Sequence, residues 1–361
     1  MKARSKIIRI VSILLLLFYS VLHISSCNFK PEAEPLPLSV KSTLNLLQEN
    51  PQFVMYLNFN NMRRTEFWRK NVSDSMMNAE KTFGSLLNTF KIATGASVTE
   101  GIDELYYSNS WFGENAIIVK GIFDKNKLNT YLLTDSVFSI TKYKNGSNIY
   151  IKNDNGLYFY FRDDFTICAS NYLKQIDIMM ETKDTSVSGL LLSGKVFETI
   201  NNVIYKQDLW MVSTEKVFIK GIFQNFMETT AERNFPDNDT LNNPGEESLK
   251  DSSQINEKMT VENIYKRFNS LSFSADMDKD LNFLIQGECI DEESSKYLRS
   301  IINGLLTVAK LSSAGKQKDP TARLLSKVKL ERYDNSVYVE MNVDEAILKD
   351  LKKTNLLNEP E

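Results

Sequence analysis

The feature that most constrains the fold of this chain is internal recurrence: four short segments of its first half return, in the same order, in its second half. FVMYLN at 53–58 is echoed by DLWMVS at 208–213, and IDELYYSN at 102–109 by FNSLSFSAD at 268–276. AIIVKGIFDKNKL at 116–128 returns as FLIQGECIDEESSKYL at 283–298, with Gly121 matching Gly287 on a strand just ahead of a helix. Last, ITKYKNGSNIYIKN at 140–153 resembles KLERYDNSVYVEMN at 329–342, pairing Tyr143 with Tyr333, Asn145 with Asn335 and Tyr150 with Tyr338. Any one pair of short apolar runs can match by chance, whereas a shared order of four points to duplication. Each half reads β-α-β-β-α-β-β, the first with two additional strands and two additional helices. Strands alternating polar with apolar residues predict antiparallel sheets with helices packed on one face. The expected fold class is α+β, in two tandem units at 51–205 and 206–355. Long apolar strands alternating with helices, the mark of a doubly wound parallel sheet, are missing.

Several local signals place the elements. Met62 to Ala93 carries large apolar residues at mixed threes and fours, which predicts one broken helix or two consecutive helices closed near Gly95. Asp124 stands where its carboxylate can cap a short helix. The turns Asn145-Gly146, Asn155-Gly156 and Asp163-Asp164 divide strands at 139–143, 148–152, 157–162 and 166–169 into an antiparallel meander, and helices follow at 172–181 and 187–205. Residues 229–262 are polar, with Pro236, Pro244 and Gly245, and bury too little to offset their ordering entropy, so a mobile loop is expected inside the second unit. Residues 27–50 are expected to be a tether. Pro31, Pro35 and Pro37 favour an extended stalk that reaches about 3.1 Å per residue.

Ahead of the tether, Lys2, Arg4, Lys6 and Arg9 form a basic region, Ile10 to Leu22 an apolar one too short for a confident membrane span, and Ile24-Ser25-Ser26-Cys27 closes the segment. This resembles the N-terminus of bacterial lipoprotein precursors, whose processing box runs aliphatic, small, small, Cys. The resemblance implies a signal peptide at 1–26, cleavage before Cys27, and diacylglycerol on its sulfur with palmitate as a marker of acylation. The expected partner is then a membrane, held through that lipid, and the expected address is the bacterial cell envelope. Asn28 replaces the aspartate that favours inner-membrane retention in the enterobacterial sorting pattern, which leans the address toward the outer membrane. The remainder resembles uncharacterised envelope proteins of a domain-of-unknown-function type built from repeated strand–helix modules. That likeness implies architecture and no active site.

Composition narrows the chemistry. Removing those four basic residues and no acid takes the formal charge from −3 to −7, and no Lys/Arg stripe suggests nucleic acid. The only histidine, His23, lies in the segment expected to be removed, which excludes His-assisted nucleophiles and the usual zinc sites. Cys168 and Cys289 lie in apolar strand-like runs and read as buried free thiols. Gly189-Leu-Leu-Leu-Ser-Gly194-Lys195-Val196 has the spacing of a phosphate-binding loop, but Val196 lacks the hydroxyl that holds magnesium and three leucines spoil the cradle. Ser313 and Lys316 have serine–lysine nucleophile spacing in what reads as an exposed loop. Glu100, Asp103 and Glu104, or Asp163 and Asp164, could serve a carboxylate-based hydrolase only by facing one another across a cleft, and strand-bordering acids are more simply solvated turns. Trp68, Trp111 and Trp210 could line an apolar cavity or a partner surface, against the plainer expectation of core packing. No cofactor, metal or catalytic residue is expected. The chain reads as a non-catalytic binding or scaffolding lipoprotein with an envelope protein as partner, or alternatively as a carrier of an apolar ligand such as lipid.

Overall fold

The structure is a computed structural model that describes residues 30–71, 91–135, 137–154, 156–183, 187–203, 208–224, 264–313 and 320–353. The described residues from Ala33 onward form one compact unit. After an N-terminal strap come α1 (Leu38–Leu44), β1 (Phe53–Asn58), α2 (Phe59–Arg64) and α3 (Glu66–Asn71), then β2 (Ile102–Asn109), β3 (Asn115–Gly121) and α4 (Lys125–Thr134). The meander is β4 (Phe138–Lys142), β5 (Asn148–Lys152), β6 (Leu157–Phe161) and β7 (Thr166–Ser170), followed by α5 (Leu173–Glu181), a 3-10 turn (Gly189–Leu192) and α6 (Gly194–Val203). The second half holds β8 (Leu209–Ser213), α7 (216–224), β9 (Phe268–Met277), β10 (Leu281–Cys289), α8 (Glu292–Ser313), α9 (Pro320–Ser326), β11 (Lys329–Tyr333), β12 (Ser336–Val343) and α10 (Glu345–Lys353). The fold is α+β, as expected. The expected loop at 229–262 lies outside the described residues, apart from which the helix before it is seen at 216–224.

The twelve strands among the described residues belong to one antiparallel sheet in the order β11-β12-β10-β9-β8-β1-β2-β3-β7-β6-β5-β4. The two sequence units meet where β1 pairs with β8, aligning Val54 with Val212, Met55 with Met211, Tyr56 with Trp210 and Leu57 with Leu209. From this seam the halves run outward alike: β1-β2-β3 then β7-β6 on one side, β8-β9-β10 then β12-β11 on the other. The position of β11–β12 therefore corresponds to β6–β7, not to β4–β5 as the sequence match suggests. What the matched segments share is local: each is a tight hairpin turned by a residue at positive φ, Gly146 at 85° and Asp334 at 51°. Strand β5 lies two places beyond β7, so β4–β5 is the insertion.

Both expected strand–helix junctions are built the same way. Asp124 Oδ1 accepts from Lys127 N at 3.0 Å ahead of α4, and Asp291 Oδ1 accepts from Ser294 N at 2.7 Å ahead of α8. The matched glycines also have one purpose, close approach. A Cβ on Gly121 would sit 2.0 Å from the Gly101 carbonyl oxygen, and one on Gly287 would sit 2.5 Å from the Phe268 ring.

Helices cover one face in the second half but both faces in the first. Met55 and Leu57 pack with α2 and α4 residues such as Met62, Leu128 and Leu132, while Val54 and Tyr56 pack on the opposite face with Ile176 of α5 and Ile200 of α6. The physical reason is visible in β7, TICAS, whose every residue is buried, and in β3, whose central run is buried on both sides. In β9 the pattern differs. Phe268 and Leu271 pack with α7 and α8, while Ser270, Ser272 and Ser274 lie on the opposite face and are buried too, the last two beside Val212 and Trp210 of β8.

The expected tether also ends earlier than 50. Leu36, Val40, Leu44, Leu46 and Leu47 are buried in the core with Tyr56, Tyr106 and Trp210, and Ala33 packs against Leu284 and Tyr338. Prolines shape the strap, but its leucines anchor it to the sheet.

Candidate functional site

The site that stands out is the turn joining β2 to β3, Ser110-Trp111-Phe112-Gly113-Glu114. Phe112 is 91% exposed and Trp111 48%, an unusual position for two large aromatic rings. The turn that carries them is held from several sides. Ser110 N donates to Glu114 O at 2.8 Å and Gly113 N to Ser110 O at 3.1 Å, with Gly113 at φ 77°. Asn171 Nδ2, at the end of β7, donates to Gly113 O at 2.8 Å. Gln48 Nε2 donates to Glu114 O at 2.8 Å, and Trp111 Nε1 to Glu215 Oε2 at 3.3 Å. These bonds bring the ends of β7 and β8 beside the turn, and the residues next along each carry exposed apolar side chains: Tyr172, Leu173 and Val217. Charged residues of both signs stand among them: Glu114 and Glu215, and the exposed Lys174 and Lys216.

The other tryptophans belong to the interior. Trp210 is fully buried against Tyr56, ring centroids 5.5 Å apart, and Trp68 packs on Phe59 at 6.4 Å. Sequence alone does not separate them from Trp111. The one available signal was the Gly113 turn immediately after it.

The carboxylate pairs do not converge. Asp103 is ion-paired to Arg63 at 2.5 Å, while Glu104, its neighbour on β2, points to the other face, accepts from Tyr106 OH at 2.7 Å and meets Lys120 at 3.5 Å. Burial first, and the Glu104 carboxylate second, push the Tyr106 and Tyr56 hydroxyls far up, so both stay protonated. Glu100 lies in the turn closed by Ser97, and Asp163 caps the Phe165 amide at 2.8 Å while Asp164 pairs with Lys125. None of these pairs faces across a cleft.

The phosphate-loop spacing is a packing device. Gly189 begins the 3-10 turn at φ 48°, and a Cβ there would meet the Leu47 carbonyl oxygen at 2.2 Å, while Leu190 N donates to Leu47 O at 3.1 Å. Gly194 and Lys195 simply start α6. Cys168 and Cys289 are free and buried, in cores on opposite faces, and burial pushes both thiols up to about 12. Cys27, His23 and Lys316 lie outside the described residues, so the expected lipidation site and the Ser313–Lys316 pair have no described geometry. Among the described residues no group of three or more His, Cys, Asp or Glu side chains could hold a metal, and no helix is long and apolar enough to cross a membrane.

No model of a known protein family matches the chain, and no curated protein matches it. Among solved structures it is similar to crystal form III of TP0453, at 8% identity and a TM-score of 0.43, covering 86% of this chain and 97% of that one. Crystal form I of TP0453 gives 8% identity and a TM-score of 0.41, covering 86% and 96%. Likeness at this level leaves the role of the chain to its own residues.

Proposed function

We propose that the protein is a non-catalytic lipoprotein of the bacterial cell envelope, held on a membrane through lipid on Cys27, that binds a partner protein through the Ser110–Glu114 turn. The anchor rests on the basic and apolar run that ends in Ile24-Ser25-Ser26-Cys27. An acyl chain contributes about 0.8 kcal/mol per buried methylene, so a multiply acylated cysteine holds a folded domain firmly.

One observation carries the binding role: Phe112 is 91% exposed on a turn fixed by hydrogen bonds from Asn171 and Gln48. A rigid loop that presents large rings to solvent loses little conformational entropy on association, which is how aromatic hot spots gain affinity.

Two experiments test this. Cys27→Ala should yield a precursor that retains residues 1–26 and takes up no palmitate; normal labelling would remove the anchor. A photo-crosslinking residue at 112 in cells should give a discrete protein adduct that Trp111→Ala weakens. A lipid adduct would instead favour a carrier of apolar ligands, and no adduct at all would remove the binding role.

A further inference from the structure

Helix α8 carries Glu292, Lys296, Arg299, Ser300 and Asn303 at steps of three and four, which places them along one side of the helix. That side faces β11, the edge strand of the sheet, where Arg332 completes a cleft of about 290 Å³ lined by Lys296, Arg299, Ser300, Asn303 and Arg332. Three of the five lining residues are cations, and the other two are neutral hydrogen-bonding groups. On an acidic chain this is a local reversal of sign.

The cations are not all accounted for by partners in the fold. Glu292, at the head of the cleft, meets Lys296 at 3.2 Å and Arg332 at 3.3 Å. Arg332 Nη1 also donates to Asp334 O at 2.8 Å and to Ser295 Oγ at 3.4 Å, so its guanidinium is fixed in place. Arg299 has no carboxylate partner among the described residues. The contrast with the rest of the surface is instructive. Glu66–Lys70, Glu292–Lys296 and Glu345–Lys349 are all glutamate–lysine pairs four residues apart, whereas four residues before and after Arg299 stand Ser295 and Asn303. A cation left unneutralised beside two others raises its own neighbours' electrostatic cost, and a bound anion would relieve it.

We infer that this cleft binds a phosphate-type oxyanion, with Arg299 and Lys296 as the principal ligands, Arg332 as a pre-oriented third, and Ser300 and Asn303 supplying neutral donors. Guanidinium groups suit tetrahedral oxyanions because their planar fork makes two parallel charge-assisted bonds. The same chemistry could come from a free phosphate compound or from a phospholipid headgroup, and the inference does not depend on the anchor.

The test uses the chain from Asn28 onward, so that neither acylation nor the basic, apolar segment at 1–26 can bring it to lipid. One arm is calorimetric titration with inorganic phosphate and pyrophosphate. The other is flotation with phosphatidylcholine vesicles, with and without phosphatidylglycerol. Saturable binding is expected in at least one arm. Arg299→Ala should weaken it about tenfold, the scale of one lost hydrogen bond to a charged group, and Arg299→Lys should restore part of it. Since Arg299 is solvent-exposed, both variants should keep the parent melting temperature. Binding in the soluble arm alone identifies free phosphate as the source, and binding only to phosphatidylglycerol vesicles identifies a headgroup. Absence of saturable binding in both arms, or binding by Arg299→Ala equal to the parent, overturns the assignment.

Discussion

Asp208 is 3% exposed and ties two distant segments together: its Oδ2 accepts from Met277 N at 2.7 Å and its Oδ1 accepts from Asn61 of α2. Burial pushes its carboxyl above the ordinary range, against the pull of those two donors, and Asp276 nearby adds to the rise. A raised folded-state value means that the related stability is fully present below the unfolded value of about 3.9 and is lost as pH rises through the folded one. Asp208→Asn keeps an acceptor for Met277 N and removes the titration. Its stability relative to the parent, from urea unfolding across a pH series, should therefore improve as pH rises through that window; a flat difference would show that the carboxyl titrates alike in both states. Nothing at the residue level of the sequence marks Asp208, which reads only as the first polar residue of a strand. Asp124, by contrast, is recognisable as a cap from its place between strand and helix, because a cap bonds within three residues of itself.

At the scale of elements, the strap shows how proline can mislead. Pro31, Pro35 and Pro37 predict an extended tether, and locally they block helix, yet α1 begins at Leu38 directly after the last of them. Leu44 is fully buried beneath the sheet. If these residues were a spacer, Leu44→Ala would change stability by less than about 0.5 kcal/mol. Packed as it is, the substitution should cost about 2–5 kcal/mol, read from the shift in urea midpoint. The alternation in β9 was readable in advance, since Ser270, Ser272 and Ser274 occupy every second position, but their burial was not: small polar residues read as an open face, and all three are covered in the fold. The hairpin equivalence was not. The segments at 140–153 and 329–342 share turn chemistry, and turn chemistry says nothing about which strand will lie alongside.

For the whole molecule, the seam between β1 and β8 decides whether the two sequence units behave separately. Tyr106, Tyr56 and Trp210 run across it as neighbours on β2, β1 and β8, with Tyr56 and Tyr106 ring centroids 4.8 Å apart. Such continuity predicts cooperative unfolding of both halves. Trp210→Ala should cost about 3–5 kcal/mol and lower hydrogen-exchange protection in β2–β3 and β9–β10 together. Protection lost on one side of the seam alone would mean that the halves are independent folding units sharing a sheet.

Strand periodicities, the helix cap at Asp124 and the lipoprotein-like N-terminus were legible in the chain before it was folded. Each of these depends on residues a few positions apart, so its signal is written locally. Long-range packing set the rest: that both units share one sheet, that β11–β12 take the place of β6–β7, that Leu36 to Leu47 enter the core, and that Trp111 is exposed while Trp68 and Trp210 are buried. Those outcomes depend on partners far along the chain, and a side chain bears no mark of what will be packed against it.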